Sequence, residues 1–175
     1  CADLLRWEQL PAWLGQIEQS PLSARLDDIY RFLSGSFFPT GFEQLSRLRS
    51  LHLLDVPSLL RHKGVVGQAI VLRGLSPIGA LKGLRSLTLQ NLRWQELPQW
   101  LRQMQHLRWL NLSQNRLCRL PPFPRLHTLL LNSNKGIELR EADFEDEQRS
   151  ACLRRLELSH CGLDTLPDSI GRLQN

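Results

Sequence analysis

A six-residue pattern, L-x-x-L-x-L, recurs five times in this chain of 175 residues and constrains its fold more than any other feature. We number positions from the first leucine of each copy, so that leucine occupies places one, four and six. Leucine accordingly supplies 39 of the residues, or 22%. One pattern recurring every roughly 20 to 50 residues indicates a fold built from stacked, similar units. The copies are LRSLHL from Leu48, LRSLTL from Leu84, LRWLNL from Leu107, LHTLLL from Leu126 and LRRLEL from Leu153.

The spacing of the copies defines a repeat unit of 23 residues. Successive copies begin 36, 23, 19 and 27 residues apart. The longest spacing then contains about 13 extra residues near 58–71, and the 27-residue spacing contains an acidic insertion. The second half of the unit reads L-P-x-x-L-x-x-L. It begins at Leu97, at Leu166 and, with phenylalanine in place of leucine, at Phe38.

Each unit is predicted to bury its leucines and to depend on its neighbours. Places one, four and six are expected to point into a core from a short strand. Asn115 and Asn134 stand at the ninth place, where a side-chain amide can satisfy backbone groups of adjacent units. Cys161 takes the same place in the last unit. A single unit buries too little to fold alone, so stacking is required.

These units resemble leucine-rich repeats, specifically the 23-residue intracellular or bacterial kind with the L-P-x-x-I/L-x-x-L second half. The resemblance covers residues 38–175 and implies an α/β fold. That fold is a right-handed solenoid with a curved parallel sheet on its concave face and short helices, 3-10 turns or loops on its convex face. The expected strands lie near 48–53, 84–89, 107–112, 126–131 and 153–158.

The first 37 residues depart from the regular repeat. Residues 5–18 match residues 92–105 at eight of 14 positions, so 1–19 are interpreted as the back half of a truncated repeat. In residues 20–37, Ser20 in capping position, Pro21 and a stripe of apolar residues ending at Gly35 predict a helix of about 13 residues. This helix would be an insertion or a cap. We expect one continuous domain that is a fragment of a longer chain.

The charge of the chain is unevenly distributed. The formal net charge is +5, yet six acidic residues lie between Glu138 and Glu147 with only Arg140 opposing them. The remainder is strongly basic, which leaves an anionic partner or nucleic acid open, although a solvated surface with one acidic loop also explains it. No apolar run reaches the roughly 18 to 20 residues needed to cross a bilayer.

Enzymatic and metal-binding sites find little support in the sequence. The four cysteines lack the C-x-x-C spacing of a zinc or redox site. Cys1-Ala2-Asp3 has the C-x-D form of certain bacterial repeat-containing ubiquitin ligases, but repeat sequence follows it directly; a lipoprotein-type Cys1 is a further alternative. The histidines are scattered. We therefore expect a non-enzymatic chain with no catalytic residue, cofactor or metal.

The strand places that the core does not use are the candidate binding residues. Place two supplies a row of cations, and place three supplies Trp109, an aromatic residue of the kind enriched at binding hot spots. The resemblance to leucine-rich repeats implies that these side chains lie on the concave face. The candidates are Arg49, His52, Arg85, Thr88, Asn91, Arg108, Trp109, Asn111, Gln114, His127, Asn132, Arg154, Arg155, Glu157 and His160.

The expected function is non-catalytic protein binding on the concave face. One alternative is that the chain is the substrate-recognition part of a larger bacterial effector enzyme, such as a ubiquitin ligase, with its catalytic domain outside these residues. A second alternative is arginine-mediated binding of an anionic partner or nucleic acid. The lack of paired-cysteine caps favours an intracellular, cytoplasmic location, or delivery into a host cell if the chain belongs to an effector.

Overall fold

A computed structural model describes residues 23–25, 48–54, 75–120 and 125–173 of the chain. Six strands and five short helical segments occupy these ranges. The strands are β1 Ser23–Arg25, β2 Ser50–Leu54, β3 Ser86–Gln90, β4 Trp109–Asn111, β5 Thr128–Leu130 and β6 Arg155–Glu157. The helical segments are the 3-10 helices Ser76–Ala80, Glu141–Asp143 and Asp168–Arg172 and the α-helices α1 Gln99–Arg102 and α2 Glu147–Cys152.

The strands form one parallel sheet in the order in which they occur along the chain, from β1 to β6. The register matches the numbering by place, since Ser50 pairs with Ser86 and Ser86 pairs with Trp109, all at place three. Every range predicted to contain a strand contains one. Four of the five short helices lie in segments between two strands and the fifth follows β6, so the parallel α/β class is confirmed.

The leucines at places one, four and six form the core, as predicted. From Leu48 to Leu131 each of these leucines is at most 3% exposed. In the last unit Leu153 is buried, whereas Leu156 and Leu158 are only partly buried. Burial of a leucine side chain stabilises the fold by about 2 kcal/mol, and the pattern repeats this gain in each unit.

The ninth-place asparagines connect neighbouring units through buried hydrogen bonds, as predicted. Asn115 Nδ2 donates to the carbonyl of Leu89 at 2.9 Å and to that of Leu112 at 2.8 Å, and its Oδ1 accepts the N–H groups of Leu92 and Trp94. Asn134 repeats the arrangement one unit later. These amides satisfy backbone groups that the returning segments would otherwise leave buried without partners.

The returning segments pack against the back of the core through aromatic side chains. Trp94 is fully buried and meets Trp100 edge to face, with ring centroids 6.2 Å apart. A Cβ at Gly79 would lie 3.0 Å from Trp100 Cβ, so glycine permits the close approach of the helix Ser76–Ala80 to α1. Trp100 therefore has a structural position on the back of the molecule.

The prediction of a helix in residues 20–37 is wrong for the three residues of this range that the structure describes. Ser23–Arg25 form strand β1, which pairs in parallel with β2 and places Ser23 beside Ser50. The backbone groups at the edge of β2 offer these residues a hydrogen-bonding partner, which outweighs the local helical pattern of apolar residues. The rest of 20–37, the truncated repeat 1–19 and the insertion near 58–71 lie outside the described residues.

The acidic insertion is exposed in part but anchored at two points. Phe144 is fully buried in the core. The carboxylate of Glu141 accepts the N–H of Asp168 at 3.0 Å and that of Ser169 at 2.9 Å, at the start of the last 3-10 helix. The insertion thus ties the unit of β5 to the unit of β6.

Candidate binding surface

The strand residues that alternate with the core leucines form a second surface of the sheet, here called the open face. Its rows follow the register of the sheet, with one residue from each of the strands β2 to β6 per row. Row three consists of Ser50, Ser86, Trp109, Thr128 and Arg155, and row five consists of His52, Thr88, Asn111, Leu130 and Glu157.

Place two forms a continuous row at the strand starts, the arginine row, which consists of Arg49, Arg85, Arg108, His127 and Arg154. The carbonyl of Arg49 accepts the N–H groups of Arg85 and Ser86, both at 2.9 Å. The same pair of bonds recurs at 2.8 to 3.0 Å between each later pair of strands through β6. The insertion between β2 and β3 therefore leaves the row in register.

The arginine side chains are held by carbonyl groups of the loops that lead into the strands. Arg49 Nη1 donates to the carbonyl of Gly83 at 3.1 Å, and Arg108 Nη1 donates to that of Arg125 at 3.1 Å. Both acceptors immediately precede the first leucine of the next unit. Arg85 Nη1 contacts carbonyls before its own strand at 3.2 to 3.4 Å. The charges of the row thus have defined positions.

Trp109 and His52 form an aromatic contact that crosses strand β3. Their ring centroids are 6.3 Å apart, and the ring planes are inclined by 65°. Thr88, on the strand between them, is only 3% exposed although it belongs to the open face. Trp109 itself is half-buried rather than fully exposed as an isolated tryptophan would be. The central part of the face is therefore a packed cluster with one large aromatic side chain.

His52 joins two hydroxyl groups within this cluster. Ser50 Oγ lies 3.0 Å from His52 Nε2, and His52 Nδ1 lies 2.7 Å from Thr88 Oγ1. A neutral imidazole donates from one nitrogen and accepts at the other, so it can bond to both hydroxyls at once. The threonine hydroxyl stands where a Ser-His-Asp arrangement has its carboxylate. The contacts accordingly fix the imidazole beneath Trp109 and do not assemble a catalytic triad.

Glu157 is the acidic residue of row five, and its carboxylate is held by two neighbours. Asn132 Nδ2 donates to Oε2 at 2.8 Å, and Arg155 contacts Oε1 through Nε at 2.8 Å and through Nη2. The hydrogen bond from Asn132, followed by that from Arg155, lowers the pKa of Glu157 below its ordinary value. This end of the face therefore presents a paired carboxylate.

Place eight has a left-handed backbone in each described unit. The φ angles are 56° for Asn91, 58° for Gln114, 60° for Ser133 and 58° for His160. Three of these residues were candidates for partner binding. Their shared conformation turns the chain away from the sheet at the strand ends. It has a steric free-energy cost for residues with a Cβ, which is smaller for asparagine and absent for glycine. Gln114 also accepts a bond from Gln90 Nε2 at 3.1 Å.

An apolar groove of about 640 Å³ lies beyond β6. Leu166, which lines the groove, is 55% exposed, whereas Leu97, at the equivalent place three units earlier, is 9% exposed. The leucine and isoleucine residues that line the groove therefore occupy places that are buried in the unit of β3.

The structure unites most of the predicted candidates and adds residues that the sequence did not indicate. Rows two, three and five contain eleven of the fifteen candidates, while Asn91, Gln114, Asn132 and His160 lie at or beyond the strand ends. Ser50 was missed, because its role depends on the rotamer of His52.

Metal and membrane sites receive no support from the described parts of the chain. No group of three or more histidine, cysteine or acidic side chains that could bind a metal occurs among the described residues. None of the helices described has the length and apolar character that crossing a bilayer requires. Cys161 is buried, and its Sγ lies 3.3 Å from the carbonyl of Leu131, consistent with the structural position predicted for it.

Comparison of the sequence with family models and with curated proteins finds no match. The repeated pattern and the residues of the open face therefore carry the functional inference.

Proposed function

We propose that this chain is a leucine-rich-repeat module that binds a protein partner on its open face, with Trp109 as the central anchor. The observation that carries the proposal is the position of Trp109. It stands on β4, with strands of the same sheet on both sides, and its indole rests on His52 across β3. Tryptophan is one of the three residue types enriched at binding hot spots, which cluster near the centre of an interface.

The polar contacts around Trp109 favour a rigid binding surface. His52 is held by Ser50 and Thr88, and Glu157 is held by Asn132 and Arg155. Side chains that are already ordered lose less conformational entropy when a partner binds. The face therefore has the character of a preorganised interface with an aromatic centre and a polar surround.

The proposal includes a right-handed solenoid whose concave side is the open face. Two observations support it. The strands follow chain order in a parallel sheet, and each unit contributes one strand and one returning segment. The buried amides of Asn115 and Asn134 join neighbouring units in the same way. A stack of this kind presents an extended surface across several units, suited to a protein partner.

A selection of random peptides displayed on phage tests this proposal. Peptides selected on the wild-type chain are measured against Trp109→Ala and against Thr128→Ala, a matched change in the same row on the adjacent strand. We expect Trp109→Ala to weaken binding by about thirtyfold, which corresponds to about 2 kcal/mol for a hot-spot residue. Thr128→Ala should weaken it much less. Binders that do not distinguish Trp109→Ala from wild type would contradict the proposal.

A further inference from the structure

Basic side chains, six of them arginine or lysine and two of them histidine, collect along the margin of the open face where the strands begin. The arginine row supplies part of this set, and the loops that precede the strands supply the rest. Lys82 stands two residues before Leu84, the first leucine of its unit. His106 and Arg125 directly precede the first leucines of the next two units. We call the whole set the basic margin: Arg49, Lys82, Arg85, His106, Arg108, Arg125, His127 and Arg154.

Acidic residues are scarce around this margin. Glu96 is the only acidic residue in the sequence from Leu75 to Leu120, a stretch that contains β3 and β4. The acidic insertion follows β5 and ends in α2, in a returning segment rather than at a strand start. In the units of β3 and β4 the positive charge of the margin is therefore opposed by a single carboxylate, that of Glu96.

The state of His106 indicates that these charges act on one another. Its Nε2 lies 3.3 Å from the carbonyl of Leu81. Burial lowers the pKa of His106 most, and the charges of Arg85, Lys82 and Arg108 lower it further, against the opposing effect of the carbonyl. A group that is harder to protonate because of three neighbouring cations lies in a positive local potential.

The guanidinium groups of the margin are positioned to bind a carboxylate. Arg85 and Arg108 contact loop carbonyls through Nη1. A guanidinium carries five N–H donors in a planar fork, so a contact through Nη1 is compatible with a further contact to a carboxylate. Successive members of the arginine row stand on neighbouring strands, which are about 4.8 Å apart. This spacing is close to the 5 to 6 Å between side chains one turn apart on a helix.

From these observations we infer that the partner contacts the basic margin with an acidic segment, while an apolar side chain of the same segment packs against Trp109. This inference rests on the proposed function and specifies the chemistry of the partner. Trp109 follows Arg108 directly and lies beside Ser86 of the adjacent strand, so one segment can contact the aromatic centre and the margin together.

A protein segment suits this surface better than a nucleic acid does. Surfaces for single-stranded nucleic acid combine basic residues with several aromatic side chains on which bases stack. Among the described residues of rows two, three and five, Trp109 is the one large aromatic side chain. An acidic peptide needs only one apolar anchor and a row of cations.

Charge reversal on the margin tests the inference. The peptides selected on wild-type protein are sequenced and measured against the double variant Arg85→Glu/Arg108→Glu and against Arg85→Gln/Arg108→Gln, which keeps polar side chains without reversing the charge. Arg102→Glu/Arg116→Glu is the control, because it makes the same change in net charge at exposed residues away from the margin. Circular dichroism establishes that each variant is folded.

We expect the selected peptides to be rich in aspartate and glutamate beside an aromatic or aliphatic residue. Their affinity should fall at least tenfold in the glutamate double variant, less in the glutamine variant and little in the control. It should also weaken from about 0.15 M to about 1 M salt, where the Debye length falls from about 8 Å to about 3 Å.

The possible failures are distinguishable. Peptides that depend on Trp109 but lack acidic residues, or tolerate the charge reversal, would overturn the acidic-partner inference and leave the proposed function standing. Peptides that ignore Trp109→Ala would overturn both. A third outcome is that an oligothymidylate displaces the peptides at about 0.15 M salt and loses affinity in the same arginine variants. This result would indicate that the partner is a nucleic acid and not an acidic protein segment.

Discussion

The indole of Trp109 meets the imidazole of His52 across an intervening strand, at a centroid distance of 6.3 Å and an interplanar angle of 65°. The two residues are 57 positions apart in the chain and belong to β4 and β2, so only the register of the sheet brings them together. The contact covers Thr88 and joins the aromatic centre of the open face to the hydroxyl of Ser50. It is therefore the structural basis of the proposed anchor.

Replacing His52 by alanine is expected to expose Trp109 and to lower the free energy of unfolding by about 1 kcal/mol. The change removes the ring contact and leaves the Thr88 hydroxyl without its imidazole partner. Acrylamide quenching of tryptophan fluorescence and urea unfolding measure the two effects. His127→Ala, at an exposed position of the arginine row, is the control. Equal quenching and stability in the two variants would refute the role assigned to His52.

Replacing Asn115 by alanine is expected to lower the free energy of unfolding by about 3 kcal/mol. The amide bonds to five backbone groups in two adjacent units, and its loss leaves buried polar groups without partners. Asn111→Ala is the control, because that side chain lies on the open face and accepts one bond, from the N–H of Ser113 at 2.9 Å. It should cost about 1 kcal/mol.

Chemical denaturation of both asparagine variants decides this point. Losses of similar size would mean that the buried amide is no more important than an asparagine on the surface. A change in the slope of the transition, in addition to its midpoint, would indicate that unfolding has become stepwise between units.

Replacing Gln114 by glycine is expected to raise the free energy of unfolding by about 1 kcal/mol. The residue has a φ of 58°, and glycine adopts this left-handed conformation without the cost that a side chain incurs. Arg116→Gly, two residues later in the same loop, should instead destabilise the fold, because its φ is not in that region and glycine adds entropy to the unfolded chain. Thermal unfolding of the two variants compares them. A loss of stability in Gln114→Gly would contradict the backbone argument.

Acid is expected to weaken the attachment of the acidic insertion through Glu141. Hydrogen bonds from Ser169, and then from the N–H of Asp168, lower the pKa of Glu141 below its ordinary value of 4.5. A carboxylate whose pKa is lowered on folding stabilises the folded state above pH 4.5, and this contribution is lost as the pH falls through the lowered pKa. Glu141→Gln should therefore flatten the dependence of stability on pH in the acid range.

The matched control for Glu141 is Glu145→Gln, which removes an exposed carboxylate from the same insertion. Urea unfolding at a series of pH values between about 2 and about 6 measures the profiles. If Glu141→Gln and Glu145→Gln give the same profile as each other, the cap on the last 3-10 helix does not contribute as described.

Local pattern predicts the sheet well because the same places recur in every unit. The period of the leucines specifies which side chains are buried, and the position of Arg108 relative to Leu107 is enough to place it in the cationic row. The ninth-place asparagines follow from the same count. The burial of the repeat leucines from Leu48 to Leu131 and the register of β2 to β6 therefore needed no information beyond the sequence.

The features that the sequence did not predict depend on contacts between distant residues. β1 was missed because residues 21–26, PLSARL, keep leucine only at place six, and the apolar spacing around them also fits a helix. The burial of Phe144 was missed because acidic neighbours surround it, although a single phenylalanine in such a segment is a signal for an anchor. The His52–Trp109 contact depends on rotamers across two strands, which no periodicity specifies.

Amide hydrogen exchange of the protein bound to a selected peptide tests the central claim most directly. We expect binding to slow exchange in β3, in β4 and in the loops that carry Lys82 and His106. Exchange in α1 and in the last 3-10 helix, on the returning segments, should stay as it is in the free protein. Protection of those returning segments, with β4 unchanged, would contradict the assignment of the open face as the binding surface.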